Sequence, residues 1–168
     1  PRKRPRPENK AVAFVFSEQP GVHRRSADVL PTGVPGEIHR VGRQARQVDD
    51  AVPSLTGLRV TVGDEFQGSY ATLGEALDAG LRVRLALLPD VDTRIGVGRG
   101  SVTTLDPQRG IEDGPGWWAA RAAVEAAEEA AAKPATRHLR TALRMDASED
   151  VSAVDAVNAA LLCRDHLV

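Results

Sequence analysis

The sequence predicts an α+β fold, a mostly antiparallel sheet with helices packed on it, and three observations carry that prediction. Period-2 alternation appears in two adjoining runs around residues 58–72, the pattern of a β-hairpin. Apolar residues recur at helical spacing over residues 37–52, 73–88 and 151–168. Strand-like and helix-like segments then alternate along the chain, and hairpins mixed with crossover helices give a sheet with helices on one face.

The elements follow in order. Residues 1–10, PRKRPRPENK, interleave five basic residues with prolines, which reads as a solvated, disordered arm. Residues 11–145 form the folded domain, and 146–168 add a C-terminal helix. Ala11-Val12-Ala13-Phe14-Val15-Phe16 is a continuous apolar run, a strand buried on both faces. Prolines and glycines make residues 20–36 an irregular excursion. Ile38, Val41, Ala45, Val48 and Val52 then fall on one helix face that ends near Pro53.

The hairpin comes next, with Gly63-Asp64-Glu65 at its turn, because Gly and Asp tolerate the positive φ of tight turns. Leu73, Leu77, Leu81, Leu85 and Leu88 mark an amphipathic helix stopped by Pro89. Residues 93–102 are a strand with Ile95 and Val97 on one face, Gly96 and Gly98 on the other. Glycines on one strand face admit a close neighbour, either a packed helix or a ligand. Residues 106–116 read as a polar loop, with Asp113 as N-cap of an alanine-rich helix over 117–133 and Pro115 in its first turn. A last strand is expected within 138–145, and Val154, Val157, Leu161 and Leu162 share one side of the final helix.

Composition bounds the partners. A formal net charge of -1 provides no global field to recruit nucleic acid or membrane. The single cysteine, Cys163, excludes an internal disulfide and a cysteine-rich zinc site, which suits the cytoplasm. No apolar run approaches the ~20 residues of a membrane span. The four histidines lack ligand spacing, and no Ser-His-Asp or Cys-His arrangement emerges. Aromatics are 4% of residues, so Ala, Val, Leu and Ile must build the core.

The chemistry concentrates at the hairpin tip. Two adjacent carboxylates, Asp64 and Glu65, repel by about 3 kcal/mol at ~5–6 Å and an effective dielectric of about 20. A divalent cation or water must offset that repulsion. Arg94, Arg99 and Arg121 are candidates to converge on an anion, since guanidinium forks suit phosphate. Trp117 or Trp118 can stack on a base; adjacent on a helix, they point about 100° apart, so at least one belongs to the core or a dimer contact.

GDEF at a hairpin tip followed by RIGV on a later strand resembles the palm-like domain of GGDEF diguanylate cyclases and class III adenylyl cyclases. GDEFQG, RIGVGRG and DGPGWWAAR taken together, over roughly residues 11–125, are most similar to the SatD family of small bacterial proteins. The resemblance implies a palm/ferredoxin-like, nucleotidyl cyclase-like fold. It also implies a Mg²⁺ or Mn²⁺ site at Asp64 and Glu65, and nucleotide contacts from Gly63, Arg94, Arg99, Arg121 and Trp117. Two departures count against cyclase activity. The first strand ends in Phe16-Ser17-Glu18, leaving Glu18 or the Ser17 hydroxyl where the palm has an aspartate. Trp117 occupies the position of the cyclase asparagine one turn before the arginine. If the domain is active, it is a metal-dependent nucleotidyl-transfer enzyme.

Other classes compete with a nucleotide-binding palm. SatD relatives continue past a helix like DAVNAALLCRDHLV into a helix-turn-helix-like segment, which this chain lacks. The resemblance therefore also implies a regulatory module of a DNA-binding transcriptional regulator, with DNA contacted through that segment. A homodimer built on the alanine-rich helix and the paired tryptophans is the third reading.

Overall fold

The structure, a computed structural model, describes residues 10–18, 35–60, 65–106, 109, 111–147, 150 and 152–168, with the backbone course alone for 10–18, 35–41 and 60. The chain adopts an α+β fold whose main sheet has five strands. β1 (Lys10–Glu18), β2 (Arg59–Val60), β3 (Phe66–Tyr70), β4 (Thr93–Ser101) and β7 (Thr141–Met145) lie in the order β2-β3-β1-β4-β7. β1 pairs antiparallel with both β3 and β4, β2 antiparallel with β3, and β4 parallel with β7. The hairpin expected around 58–72 is present, with Arg59 opposite Gln67 and Val60 opposite Phe66. Its tip, including Gly63 and Asp64, lies outside the described residues, as do the basic arm through residue 9 and residues 19–34.

Helices cover both faces of the sheet rather than one. α1 (Pro35–Ala51), α2 (Leu73–Leu87) and α4 (Val154–Leu167) share a face, where Val48, Val83, Leu87 and Leu161 join Phe66, Tyr70, Ile95, Val97 and Leu143 in the main core. α3 (Pro115–Ala131) takes the opposite face. The glycines of β4 explain this. An added Cβ at Gly96 would stand 2.2 Å from Ala120 O, and one at Gly98 would stand 2.1 Å from Ala120 N. The close neighbour of the glycine face is therefore a helix backbone. Ala120, Ala123 and Ala127, all fully buried, are small enough to let α3 approach so closely.

Local chemistry sets the helix ends. Thr72 and Glu75 form a reciprocal capping box that starts α2, with the Thr72 hydroxyl accepting from Glu75 N at 3.2 Å and Thr72 N donating to Glu75 Oε2 at 2.9 Å. For α3 the N-cap is Gly114 rather than Asp113. Gly114 has φ 137, and a Cβ there would meet Ser101 O at 2.6 Å. Pro115 supplies the first helical turn. The expected polar loop over 106–116 is instead largely a two-stranded ribbon, β5 (Thr103–Asp106) with β6 (Ile111–Asp113), separate from the main sheet.

Polar side chains close the free edge of β7. Leu143 N donates to Asn158 Oδ1 at 2.8 Å, and Asn158 Nδ2 donates to Leu143 O at 3.1 Å. Asp165 Oδ2 accepts from Arg140 N and Thr141 N at 2.8 and 2.6 Å. α4 thus satisfies strand-edge groups that would otherwise template aggregation. Among the described residues no helix is long and apolar enough to cross a membrane.

Candidate functional site

α3 covers the middle of its face of the sheet but leaves the hairpin side uncovered. Between α3, β3 and β6 lies a cavity of ≈ 420 Å³, a size that suits a small ligand. Gln67 of β3, Glu112 of β6 and, from α3, Trp117, Trp118, Arg121 and Glu125 line it.

Strand alternation selects the floor. Phe66 and Tyr70 point into the core, so Gln67 between them points toward the cleft. Arg59, opposite Gln67, reaches Glu112 at 3.6 Å. The Glu112 side chain is only 3% exposed, and its Oε2 also accepts from the Thr56 hydroxyl at 3.0 Å. A buried carboxylate with these two partners is a fixed wall.

The tryptophans divide as their spacing requires. Trp117 is 9% exposed and packs on Val102, Ala120 and Val124. Trp118 is 63% exposed, with Nε1 donating to Asp113 Oδ1 at 3.0 Å. Asp113, displaced from the cap role, therefore positions an indole at the cleft instead.

Arg121 and Glu65 meet across the cleft. Arg121 Nη1 and Nη2 donate to Glu65 Oε1 and Oε2 at 2.5 and 2.8 Å, a bidentate fork from the middle of α3 to the start of β3. The Arg121 hydrogen bond, ahead of its charge, holds the Glu65 carboxyl below the usual 4.5, against a smaller opposing effect of burial. The same fork raises the Arg121 guanidinium.

The remaining sequence-chosen residues separate. Arg94 shares the α3 face with Gly96 and Gly98 but is buried, and its Nη1 donates to Glu128 Oε1 at 3.1 Å. Burial lowers its guanidinium from the usual value, and Glu128 partly offsets this. Arg99 falls by alternation on the other face, with Ile95 and Val97. The three arginines therefore do not converge: Arg121 alone lines the cleft. Glu18 closes β1 opposite Thr93, and the β1–β3 register brings that end of β1 beside the start of β3. Gly63, Asp64 and the Glu18 side chain lie outside the described residues. Among the described residues no group of three or more His, Cys, Asp or Glu could hold a metal.

Sequence reasoning missed Gln67, Glu112 and Glu125. The alternation Phe66-Gln67-Gly68 contained the signal for Gln67. Glu112 carried none, because it reaches the cleft only through the β5–β6 ribbon.

A comparison with curated proteins finds no match. The sequence model of the SatD family matches residues 45–165, which takes in β2 through Asp165 of α4 and every described residue of the cleft. The chain belongs to the SatD family.

Proposed function

We propose that this SatD-family domain binds a nucleotide in the cleft between the hairpin and α3. The carrying observation is the Glu65–Arg121 fork beside an exposed indole. Arg121 is the fork-shaped cation an oxyanion group would take, and the ion pair is the contact it would have to split. The Trp118 face is free to stack on a planar base, while Gln67 offers both a donor and an acceptor to the ring edge.

The β-α-β-β-α-β course of β1 through β4, in the order β2-β3-β1-β4, supports a palm/ferredoxin-like ancestry. Mg²⁺ or Mn²⁺ would compete with Arg121 for Glu65, joined by Asp64 and Glu18 from the same end of the sheet. A metal bound there would neutralise phosphate charge. Binding without cyclase turnover is the favoured form, given Trp117 and the Phe16-Ser17-Glu18 ending.

The test is thermal unfolding with each of the four NTPs, with and without Mg²⁺ or Mn²⁺, alongside Trp118 fluorescence. A ligand held at 100-fold its Kd stabilises by about 2.7 kcal/mol. A saturable rise in Tm, with quenching lost in Trp118→Phe and the rise lost in Arg121→Ala, supports the reading. No rise with any NTP, or an equal rise in Arg121→Ala, overturns it.

A dimeric regulatory module is the second reading, and the exposed Trp118, Leu105 and Ile111 favour it. The alanine stripe does not, since Ala120, Ala123 and Ala127 are spent against the sheet. Sedimentation as a monomer at every concentration would remove it.

A further inference from the structure

A second cavity, ≈ 290 Å³, opens at the opposite face of the molecule from the cleft, between the end of α2, the starts of β4 and β7, and the end of α4. Arg84, Asp92, Arg140, His138, Asp165 and His166 line it, and none of these served the nucleotide reading.

The bonding at its base is incomplete. Asp165 is saturated: besides the two backbone donors on Oδ2, its Oδ1 accepts from Arg164 Nη2 at 2.8 Å and Nε at 3.2 Å. Arg140 Nε donates to Asp92 Oδ2 at 2.7 Å, and Arg140 Nη1 donates to backbone carbonyls. Arg84, 5% exposed, receives what is left. Its Nη1 reaches Asp165 Oδ1 only at 3.4 Å, and its Nε stands 3.9 Å from Asp92 Oδ1. Among the described residues neither Arg84 Nε nor Asp92 Oδ1 has a hydrogen-bond partner. Such buried groups each cost about 1–3 kcal/mol when unmet.

Charge points the same way. Arg84, Arg140 and Arg164 face two carboxylates, Asp92 and Asp165, with Arg137 beside His138 at the rim. His138 and His166 stand edge to face, their ring centroids 4.5 Å apart. An occupant that completes this set needs negative charge for the surplus guanidinium, oxygen acceptors for Arg84 Nε and the imidazoles, and one O–H donor for Asp92 Oδ1.

We propose that this cavity binds a singly protonated oxyanion, inorganic phosphate. Hydrogen phosphate keeps an O–H at neutral pH; sulfate does not. A fully ionised phosphate monoester at pH 8 lacks the proton too, so Asp92 would discriminate against both. The site is distinct from the nucleotide cleft, which contains no histidine among its lining residues.

The experiment is an NMR titration of the histidine ring signals at constant pH and ionic strength, with phosphate, sulfate, glycerol phosphate and chloride as separate arms. The chain has four histidines, so His138 and His166 are separable from His23 and His39. The expected result is saturable movement of the His138 and His166 signals with phosphate, at least tenfold weaker with sulfate or the monoester. His166→Ala should weaken phosphate binding about tenfold, as read from the His138 signal. Asp92→Asn should narrow the phosphate–sulfate difference, and if that variant does not fold, the wild-type anion series still decides. Equal response to phosphate and sulfate, or a phosphate response no different from chloride, overturns the proposal.

Discussion

Gly98→Ala is the sharpest test of how this fold is built. The new Cβ would stand 2.1 Å from Ala120 N, 2.3 Å from Gly116 O and 2.7 Å from Ala120 Cα. All three are helix backbone, so no side chain can swing aside. Restoring an ordinary contact of 3.4 Å from 2.1 Å requires α3 to retreat by 1.3 Å. A radial gap of about 0.5–1 Å already forfeits a quarter to a half of the dispersion well for every atom lining it. That gap would run beneath Ala120, Ala123, Val124 and Ala127.

Overpacking where side chains can yield costs about 1–3 kcal/mol. With backbone on every side, Gly98→Ala should cost about 3 kcal/mol or more, a large part of an ordinary domain's stability. Urea unfolding followed by far-UV circular dichroism measures this, with an unchanged slope certifying that the two states are the same. Gly42→Ala in α1 is the control, since its nearest neighbour would be Arg46 Nη1 at 3.9 Å. It should gain about 0.5–1 kcal/mol. If Gly98→Ala unfolds within about 0.5 kcal/mol of the native chain, the helix-contact account of the glycine strand is refuted.

Three further outcomes are expected. Tyr70, the one tyrosine, is fully buried, and burial, with Asp49 adding to it, pushes its phenol well above the usual 10.0. The stability this represents is complete below pH 10 and is lost as pH rises beyond it, so tyrosinate absorbance should appear only together with unfolding. Ionisation while circular dichroism stays native would contradict that burial. Glu65 is depressed below 4.5, so its contribution is present above that pH and disappears as pH falls through its lowered value. With Arg121 48% exposed, the difference between Glu65→Gln and native should stay under about 1 kcal/mol at pH 7 and vanish in acid. Asp165→Ala leaves Arg84 and Arg164 without their buried carboxylate and should cost about 3–5 kcal/mol in urea unfolding, whereas a loss below about 1 kcal/mol would deny α4 its anchoring role.

What the sequence disclosed was local. Leucines at helical spacing before Pro89 announced α2 to within a residue, because period and terminator are both written in one short window. The alternation around residue 60 announced the hairpin for the same reason. The glycines of β4 announced that something would come close. Which layer came close was a tertiary matter, and so was the parallel pairing of β4 with β7 through α3. The β5–β6 ribbon was hidden because its acids and glycines resemble loop composition and only three residues of β6 pair. Asp165 looked like a charged position on an ordinary helix. Its role depends on Arg84, 81 residues away, and no spacing rule connects them.

The acidic hairpin end links these layers to function. Repulsion at that end demanded a positive partner, and for Glu65 the partner comes from the protein's own α3. Arg121 can reach Glu65 only because α3 lies against Gly96 and Gly98 at backbone distance. Absent side chains on one strand thus bring a guanidinium to a carboxylate on another, at the edge of the nucleotide-sized cleft. Gly98→Ala should therefore do more than destabilise. In whatever fraction remains folded, a retreat of 1.3 Å by α3 would stretch the 2.5 and 2.8 Å fork toward water-separated distances. Glu65 would then titrate nearer the ordinary 4.5. Carboxyl chemical shifts of Glu65 in the folded fraction would read that change directly, and a Glu65 that still titrates as in the native chain would break the link between glycine packing and the cleft.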